Sequence, residues 1–510
     1  MEQKISDIES SHASTTDIIK KGSVITIITM ISRPLGYIRE AIQAYLFGAT
    51  LLVDAFIVAF NFPELIQTLF FSGATSAFLV PVCVRYMKDH KDYSSIYSTF
   101  INLAIVITVS ISLLFLAFSH GIVSVIAPGF SPEARQITKI LFIIMIPVIS
   151  LHTILSVIKA FLNAKEHFAA PELSGIIWNI AFILSALFLR DKFGIYSLAI
   201  GVTVGSILQI AMQIPYLRQF NIRYSMTLNM QHPALIEAKN LFTGALIATS
   251  IVPINSFVGR VIASYLPHGE VAALSYAFRI FILPFSLFAV PIYTVMFTKL
   301  SKLFHNKDWH GINTHIDSSL VLISITLIPC TVLLCSVGDA AIRLLYERGA
   351  FTANDTLMTN RALFGYSIGL IFYALSISFV RIFNSFHDMK TPAIVGITSI
   401  AINAILATIL MVPFKNLGIA LATSIVSFYN FAMLYILLKK KVGYSMKKGT
   451  MREISRSLLA GIILMLSVAL TRKLITTSTY PLLSIGIVLT AIIYGLFFKH
   501  YYLSFLKKSR

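Results

Sequence analysis

Along most of the chain, apolar residues run in unbroken stretches of about 20, separated by short charged or Pro/Gly breaks, with little period-two alternation. A stretch of that length matches one helical crossing of a ~30 Å hydrocarbon layer, whereas a barrel strand needs only about 10 residues. The breaks predict fourteen helices, near 22–46, 50–72, 97–127, 134–164, 171–190, 194–217, 236–264, 270–300, 314–346, 356–387, 391–413, 416–441, 452–474 and 480–504. The expected fold is an all-α polytopic membrane protein. The first 19 residues are polar and of mixed charge and lack the layout of a signal peptide, so the first helix is expected to stay as an anchor.

One offset, 221 residues, recurs when the chain is compared with itself. It pairs Pro63 with Pro284, Asn163 with Asn384, Pro171 with Pro392, Gly175 with Gly396, Ala199 with Ala420, and Gln209 with Asn430. The pairing predicts two duplicated six-helix lobes, 22–217 and 236–441, with helices 452–504 appended and tails at 1–21 and 505–510. Each half holds an even number of helices, so both copies insert the same way round, the parallel-repeat arrangement of transporters.

Composition narrows the reading. Of 510 residues, 56% are hydrophobic and only 12% charged, about half the usual soluble share, which excludes a soluble globular enzyme. Lys+Arg number 41 against 22 Asp+Glu, a net charge of +19. Most of these cations fall on alternate loops: Lys4, Lys20 and Lys21; Arg85, Lys88 and Lys91; Lys165; Arg218 and Arg223; Lys299, Lys302 and Lys307; Lys390; the stretch 439–452; and Lys507, Lys508 and Arg510. The opposite loops carry about eight. The positive-inside rule then makes both termini cytoplasmic and accounts for the charge without a nucleic-acid partner. Cys83, Cys330 and Cys335 lack ligand spacing, so neither a metal nor a disulfide is expected.

A smaller group of charges lies inside the apolar runs, where each costs at least about 2.5–3.5 kcal/mol unless a cavity, partner or ligand receives it. Arg33 and Arg39 lie in the first helix with Pro34 and Gly36 between them, Arg260 in the seventh and Arg279 in the eighth. Nearby acids are few: Glu40, Asp54 and Glu64. A cationic surplus fits a phosphate, which guanidinium binds bidentately. Arg33, Arg39 and Arg279 are expected to line a cavity. Arg260 is expected to snorkel, and Asp54 either to serve as an N-terminal helix acid or to pair with an arginine. His152 is expected to be a packed histidine, with a proton relay as the alternative. No Walker loop, nucleophile elbow or metal-spaced cluster occurs. The acids Asp339, Glu347 and Asp355 near one outer loop give thin support to a glycosyltransferase.

Specific strings carry a resemblance. The segment "SRPLGYIREAIQAYLFGATLLVDAFIVAF" at 32–60 resembles the first two helices of the MurJ/MviN family, lipid II flippases of the multidrug/oligosaccharidyl-lipid/polysaccharide exporter superfamily. "APGF" at 127–130, "GRVIASYLPHGEVAALSYAFRI", "LLYERGAFTANDTLMTNRALFGYSIGL" at 344–370 and "KTP" at 390–392 are similar to further stretches of it. The resemblance implies a transporter in the bacterial inner membrane, not an enzyme. It implies alternating access that carries undecaprenyl-diphosphate-linked disaccharide-pentapeptide outward for peptidoglycan assembly, with Arg33, Arg39 and Arg279 on the diphosphate and Asp54 and Arg260 as supporting charge. No cofactor is implied; the drive would be membrane potential or a Na+/H+ gradient, and the partners membrane lipids and the peptidoglycan synthesis machinery. The chain departs from the family pattern at Gln67, Thr68, Ser72 and Ile282, which leaves export of another polyprenyl-diphosphate glycan as the alternative. Asn255 and Asn403 are the nearest polar substitutes for a cation site that some relatives hold near helix 7.

Overall fold

The computed structural model describes residues 2–69, 73–86, 90–474 and 479–508, and the described chain is helical almost throughout. By contacts it divides into two units, residues 1–47 with 55–253, and residues 48–54 with 254–510. The first contains α1 (Glu2–Phe47), most of α2 (Leu51–Gln67), α3 (Gly73–Arg85), α4 (His90–Ala117), α5 (Ser119–Ile126), α6 (Pro132–Met145), α7 (Pro147–Ala164), α8 (Ala169–Phe193), α9 (Tyr196–Gln219) and the start of α10 (Pro233–Ala263). The second contains the rest of α10, α11 (Glu270–Pro284), α12 (Val290–His305), α13 (Trp309–Leu345), α14 (Ala353–Ile368), α15 (Leu370–Ser385), α16 (Lys390–Phe414), α17 (Asn416–Val442), α18 (Lys448–Leu474) and α19 (Thr479–Lys508).

Each of the fourteen expected stretches falls on helix. Among the described residues nine helices are long and apolar enough to cross a membrane, and α14 with α15, bent by 48°, adds a tenth if the pair is one span. The differences lie at ends and breaks. Helix α1 starts at Glu2, so it takes in the stretch expected as an N-terminal tail, and α3 occupies a stretch expected as a break. The run 97–127 divides at Phe118, 134–164 at Ile146 before Pro147, and 356–387 at Gly369. Between α11 and α12 a π-helical turn, Phe285–Ala289, follows Pro284, whose ring cannot continue the α-helical ladder. Ser72 lies outside the described residues.

The 221-residue duplication is written into the backbone. Shifted by that number, α8 falls on α16 at both ends. Helix α6 begins with the Ser131 side chain accepting from the Ala134 amide, and α14 begins at the equivalent place with a capping box between Thr352 and Asp355. In the first unit Thr203 Oγ1 donates to the Ile144 carbonyl at 2.9 Å; at the shifted positions Ser424 Oγ donates to the Gly365 carbonyl at 2.6 Å. The turn after α8 uses Gly194 at φ 52°, ψ −131°, and that after α16 uses Lys415 at φ 52°, ψ −130°. The lysine holds a conformation that suits glycine.

Small residues let the helices approach. Gly365 and Gly369 form a small-xxx-small face against Ala420 and Ser424 of α17, where a Cβ on Gly369 would come within 2.6 Å of Ser424 Cα. The appended helices α18 and α19 pack on α13 through Val321, Ile325, Ala460, Leu464, Tyr494 and Phe498. Arg472 of α18 joins that contact by pairing with Asp339 of α13 at 2.7 Å. Gly369→Ala is expected to force α15 off α17 and to lower stability by about 1–3 kcal/mol, read as an earlier thermal transition of the purified protein. An unchanged transition would mean that the close approach is not what holds these helices.

Candidate functional site

In the first unit the site begins with a guanidinium that the fold holds firmly. Arg39 lies on α1 with its side chain only 12% exposed and pairs with the neighbouring Glu40 at 2.5 Å. Its guanidinium carbon stands 4.8 Å from the Trp178 ring centroid and 5.3 Å from that of Phe182, both on α8. Residues four apart on α8 share one face, so the two rings form a cradle and each adds about 0.5–2 kcal/mol of cation–π attraction. Close packing of α8 on α9 sets the cradle: Trp178 Cδ1 is 3.0 Å from where a Cβ of Gly205 would stand. Arg39 is therefore both an ion-pair partner and a stacked cation. Arg33, six residues earlier and beyond Pro34, is exposed; the rise of an ideal helix sets the two arginines about 9 Å apart along α1.

In the second unit Arg279 is exposed near the middle of α11, while Arg260, half-buried in the last turn of α10, lies within electrostatic reach of Tyr366. Asn403, buried on α16, donates from Nδ2 to Asn255 Oδ1 at 2.9 Å, and Asn403 Oδ1 has no partner among the described residues. This pair brings together the two residues expected as polar substitutes at a cation site.

Asp54 lies in the first turn of α2, the helix N-terminal place expected of it, but the amides it serves belong to another helix. Its carboxylate, 1% exposed, accepts the Gly269 amide at 2.5 Å and the Ala272 amide at 2.7 Å, so it caps α11 across 215 residues of chain. The first N–H groups of a helix have no partner within it, and the dipole there favours an anion. The segment 48–54 is fitted around this cap. Gly48 and Gly269 both take positive φ, and a Cβ on either would collide with the carbonyl oxygen of Ala350 or Ala49 respectively. Tyr276 donates to the Gly48 carbonyl at 3.3 Å from among Tyr346 and Phe351.

The remaining candidates have structural employment. His152 Nε2 shares a 2.8 Å hydrogen bond with Ser206 Oγ inside the first unit, the packed histidine expected. Asp339 pairs with Arg472, Glu347 accepts from Thr356 Oγ1 at 2.6 Å, and Asp355 closes the capping box, so the three acids that favoured a glycosyltransferase are all engaged. Of the departures, Thr68 bonds back to the Glu64 carbonyl at 2.8 Å. Sequence reasoning missed Trp178 and Phe182. The signal available was Trp178 itself, one of only two tryptophans and set within a span. For Asp54→Asn, an amide nitrogen would face a backbone N–H; the expected cost is about 2–3 kcal/mol, checked by thermal unfolding, and an unchanged midpoint would show the cap to be dispensable.

Comparison with known proteins follows the same lines. The family model described as lipid II flippase MurJ matches residues 43–489. A probable lipid II flippase MurJ of Buchnera aphidicola subsp. Baizongia pistaciae is 28% identical over 508 residues, covering 96% of this chain and 99% of its own. That of Vibrio cholerae is 27% identical and covers 88% of each. A solved lipid II flippase MurJ in an inward closed conformation superposes with a TM-score of 0.83 at 28% identity, over 94% of this chain and 99% of its own. An inward-facing MATE family transporter of the MOP superfamily, at 12% identity and a TM-score of 0.70 over 80% of this chain and 94% of its own, shares the fold. With a family model that spans most of its length, this multi-pass membrane chain belongs to the lipid II flippase MurJ family.

Proposed function

We propose that the chain moves lipid II, the undecaprenyl-diphosphate-linked peptidoglycan precursor, from the inner to the outer leaflet of the bacterial cytoplasmic membrane by alternating access, with both termini in the cytoplasm. The observation that carries the reading is the family match over residues 43–489, on a fold whose two repeats share the same helix ends, caps and turns. It is a transporter reading, not an enzymatic one.

A head group bearing sugars and a diphosphate crosses only if the protein replaces its hydration, and guanidinium groups meet phosphate oxygens with charge-assisted, bidentate hydrogen bonds. We assign this task to Arg33 and Arg39 of the first unit and Arg279 of the second, with Asp54 and Arg260 as supporting charge. Exposure of Arg33 and Arg279 supports a ligand-facing role. Arg39 is already paired with Glu40, which favours exchange of that carboxylate for the diphosphate over simple addition. The drive is membrane potential or a Na+/H+ gradient, with Asn255 and Asn403 as the place for a cation, and the peptidoglycan synthesis machinery removes the product outside.

Arg279→Ala is expected to accumulate normally in the membrane yet to reduce outer-leaflet lipid II by more than about tenfold when it is the only copy in the cell, since one charge-assisted phosphate contact is worth that much. Arg39→Ala is expected to lose both function and some thermal stability because its ring contacts go with it. Depletion of the protein followed by measurement of lipid II in each leaflet tests the whole reading: unchanged outer-leaflet lipid II would refute it.

A further inference from the structure

The segment between α9 and α10 alternates strictly. Residues 221–230 read Asn, Ile, Arg, Tyr, Ser, Met, Thr, Leu, Asn, Met, polar at every odd position and apolar at every even one. That is the period of a half-buried strand, yet no strand forms. Its ladder is supplied by the side chains of a helix instead.

Four polar residues of α4, at positions 94, 98, 99 and 102, hold the segment. Ser94 Oγ donates to the Asn221 carbonyl at 3.4 Å and accepts the Arg223 amide at 3.2 Å. Ser98 Oγ accepts the Ser225 amide at 3.0 Å, and Asn102 Nδ2 donates to the carbonyls of Ser225 and Thr227 at 3.2 and 2.8 Å. Thr99 Oγ1 accepts the Asn229 amide at 3.3 Å, and Tyr224 donates its hydroxyl to Asn102 Oδ1 at 2.7 Å. Both ends are pinned: Ile222 belongs to the core cluster of Tyr93, Phe161 and Leu217, and His232 is buried against the Tyr86 ring at 5.6 Å. Between the pins Tyr224 turns its hydroxyl back to α4, while Met226, Leu228 and Met230 are exposed, Met226 by 92%.

The excursion runs along a membrane-crossing helix. The apolar span on α4 is Tyr93–Ala117, 25 residues. Counted back from Ala117, where α4 ends, a ~30 Å core takes about 20 residues at 1.5 Å each and reaches Ser98, so the segment bonded there lies at the edge of the hydrocarbon. At that edge the α4 ladder serves the backbone of alternate residues, the amides of Arg223, Ser225 and Asn229 and the carbonyls of Asn221, Ser225 and Thr227, and interfacial water serves the rest. Further along α4, Val106, Ile107, Val109 and Leu113 are exposed apolar residues that continue the same surface.

We propose that residues 221–231 form a strap lying in the interface of one leaflet, the backbone of alternate residues bonded to Ser94, Ser98, Thr99 and Asn102 of α4 and its side chains Met226, Leu228 and Met230 set among the upper parts of the lipid acyl chains. The strap's partner is the bilayer itself. Arg218 and Arg223 at its root sit where lipid phosphates lie, and the positive-inside rule makes that leaflet the cytoplasmic one. The strap fixes the depth of the connection that leads into α10. Its contact with lipid is independent of which molecule the protein carries, so the two readings stand or fall separately.

The test uses the full chain with Cys83, Cys330 and Cys335 changed to alanine and single cysteines introduced as Met226→Cys, Leu228→Cys and, for reference, Glu166→Cys in the α7–α8 turn at the same end of the first unit. In phosphatidylcholine/phosphatidylglycerol vesicles opened to reagent on both faces, a charged maleimide should label positions 226 and 228 at least about tenfold more slowly than 166, with the difference gone in denaturing detergent. An environment-sensitive fluorophore at 226 should be quenched by lipid with a nitroxide near the top of its acyl chain. Equal labelling at the three positions would overturn the proposal. So would slow labelling without quenching, because then protein and not lipid covers the strap. Ser98→Ala with Asn102→Ala should release the strap and raise labelling at 226 toward that at 166; labelling that stays slow would show that the ladder does not hold it.

Discussion

Inside hydrocarbon a backbone amide or carbonyl has no water to turn to, and every part of this chain answers to that constraint. Long helices satisfy it within themselves. At several interruptions of the helix ladder a specific partner stands in: Asp54 for the free amides of α11, Ser131 and the Thr352–Asp355 box for those of α6 and α14, and the Thr203 and Ser424 hydroxyls for carbonyls at the facing helix. Two of them sit beside breaks in the spans: Thr203 bonds the Ile144 carbonyl just before the break at Ile146, and Ser424 bonds the Gly365 carbonyl just before that at Gly369.

The second organising fact is duplication. Two copies of one helix set keep their ends and turns in register while their side chains have drifted. At the α8–α9 turn one copy uses glycine and the other lysine in the same backbone conformation. At the contact that Thr203 makes with Ile144, the other copy has serine and glycine, and the hydrogen bond is 2.6 Å in place of 2.9 Å. Backbone geometry has been retained more strictly than the residues that first favoured it. Such a pair of halves keeps its fold while each half acquires its own charges, Arg33 and Arg39 in one and Arg279 in the other.

Much of this was legible in the sequence because bilayer crossing imposes a length and a composition that leave little freedom: the fourteen stretches, the 221-residue offset and the family resemblance all come from residues in order along the chain. The candidate site was legible as a set of charges, since a guanidinium within an apolar run has few ordinary explanations. What surrounds each charge was not. The partners of Asp54 lie 215 and 218 residues away and are backbone amides, which leave no mark in a sequence. The Trp178–Phe182 cradle looks like any other pair of core aromatics until α1 is laid against α8. Helix α3 was missed because its 13 residues are too few for a crossing and include Pro81, and the early start of α4 because its residues are polar, a polarity that the 221–229 segment occupies.

One feature bears on how the protein is put together in time. The chain enters the second unit at residues 48–54, returns to the first, and reaches the second again only after Pro253. The anionic cap that α11 requires is thus made by the ribosome some two hundred residues before the helix it caps. Until α11 emerges, Asp54 and the Gly48 turn beside it have nothing to bind, and the first unit must wait with that segment undocked. Folding of the two halves is therefore not sequential in the simple sense: the earliest part of the chain carries a piece of the later half, and the second unit is complete only when that piece is reclaimed.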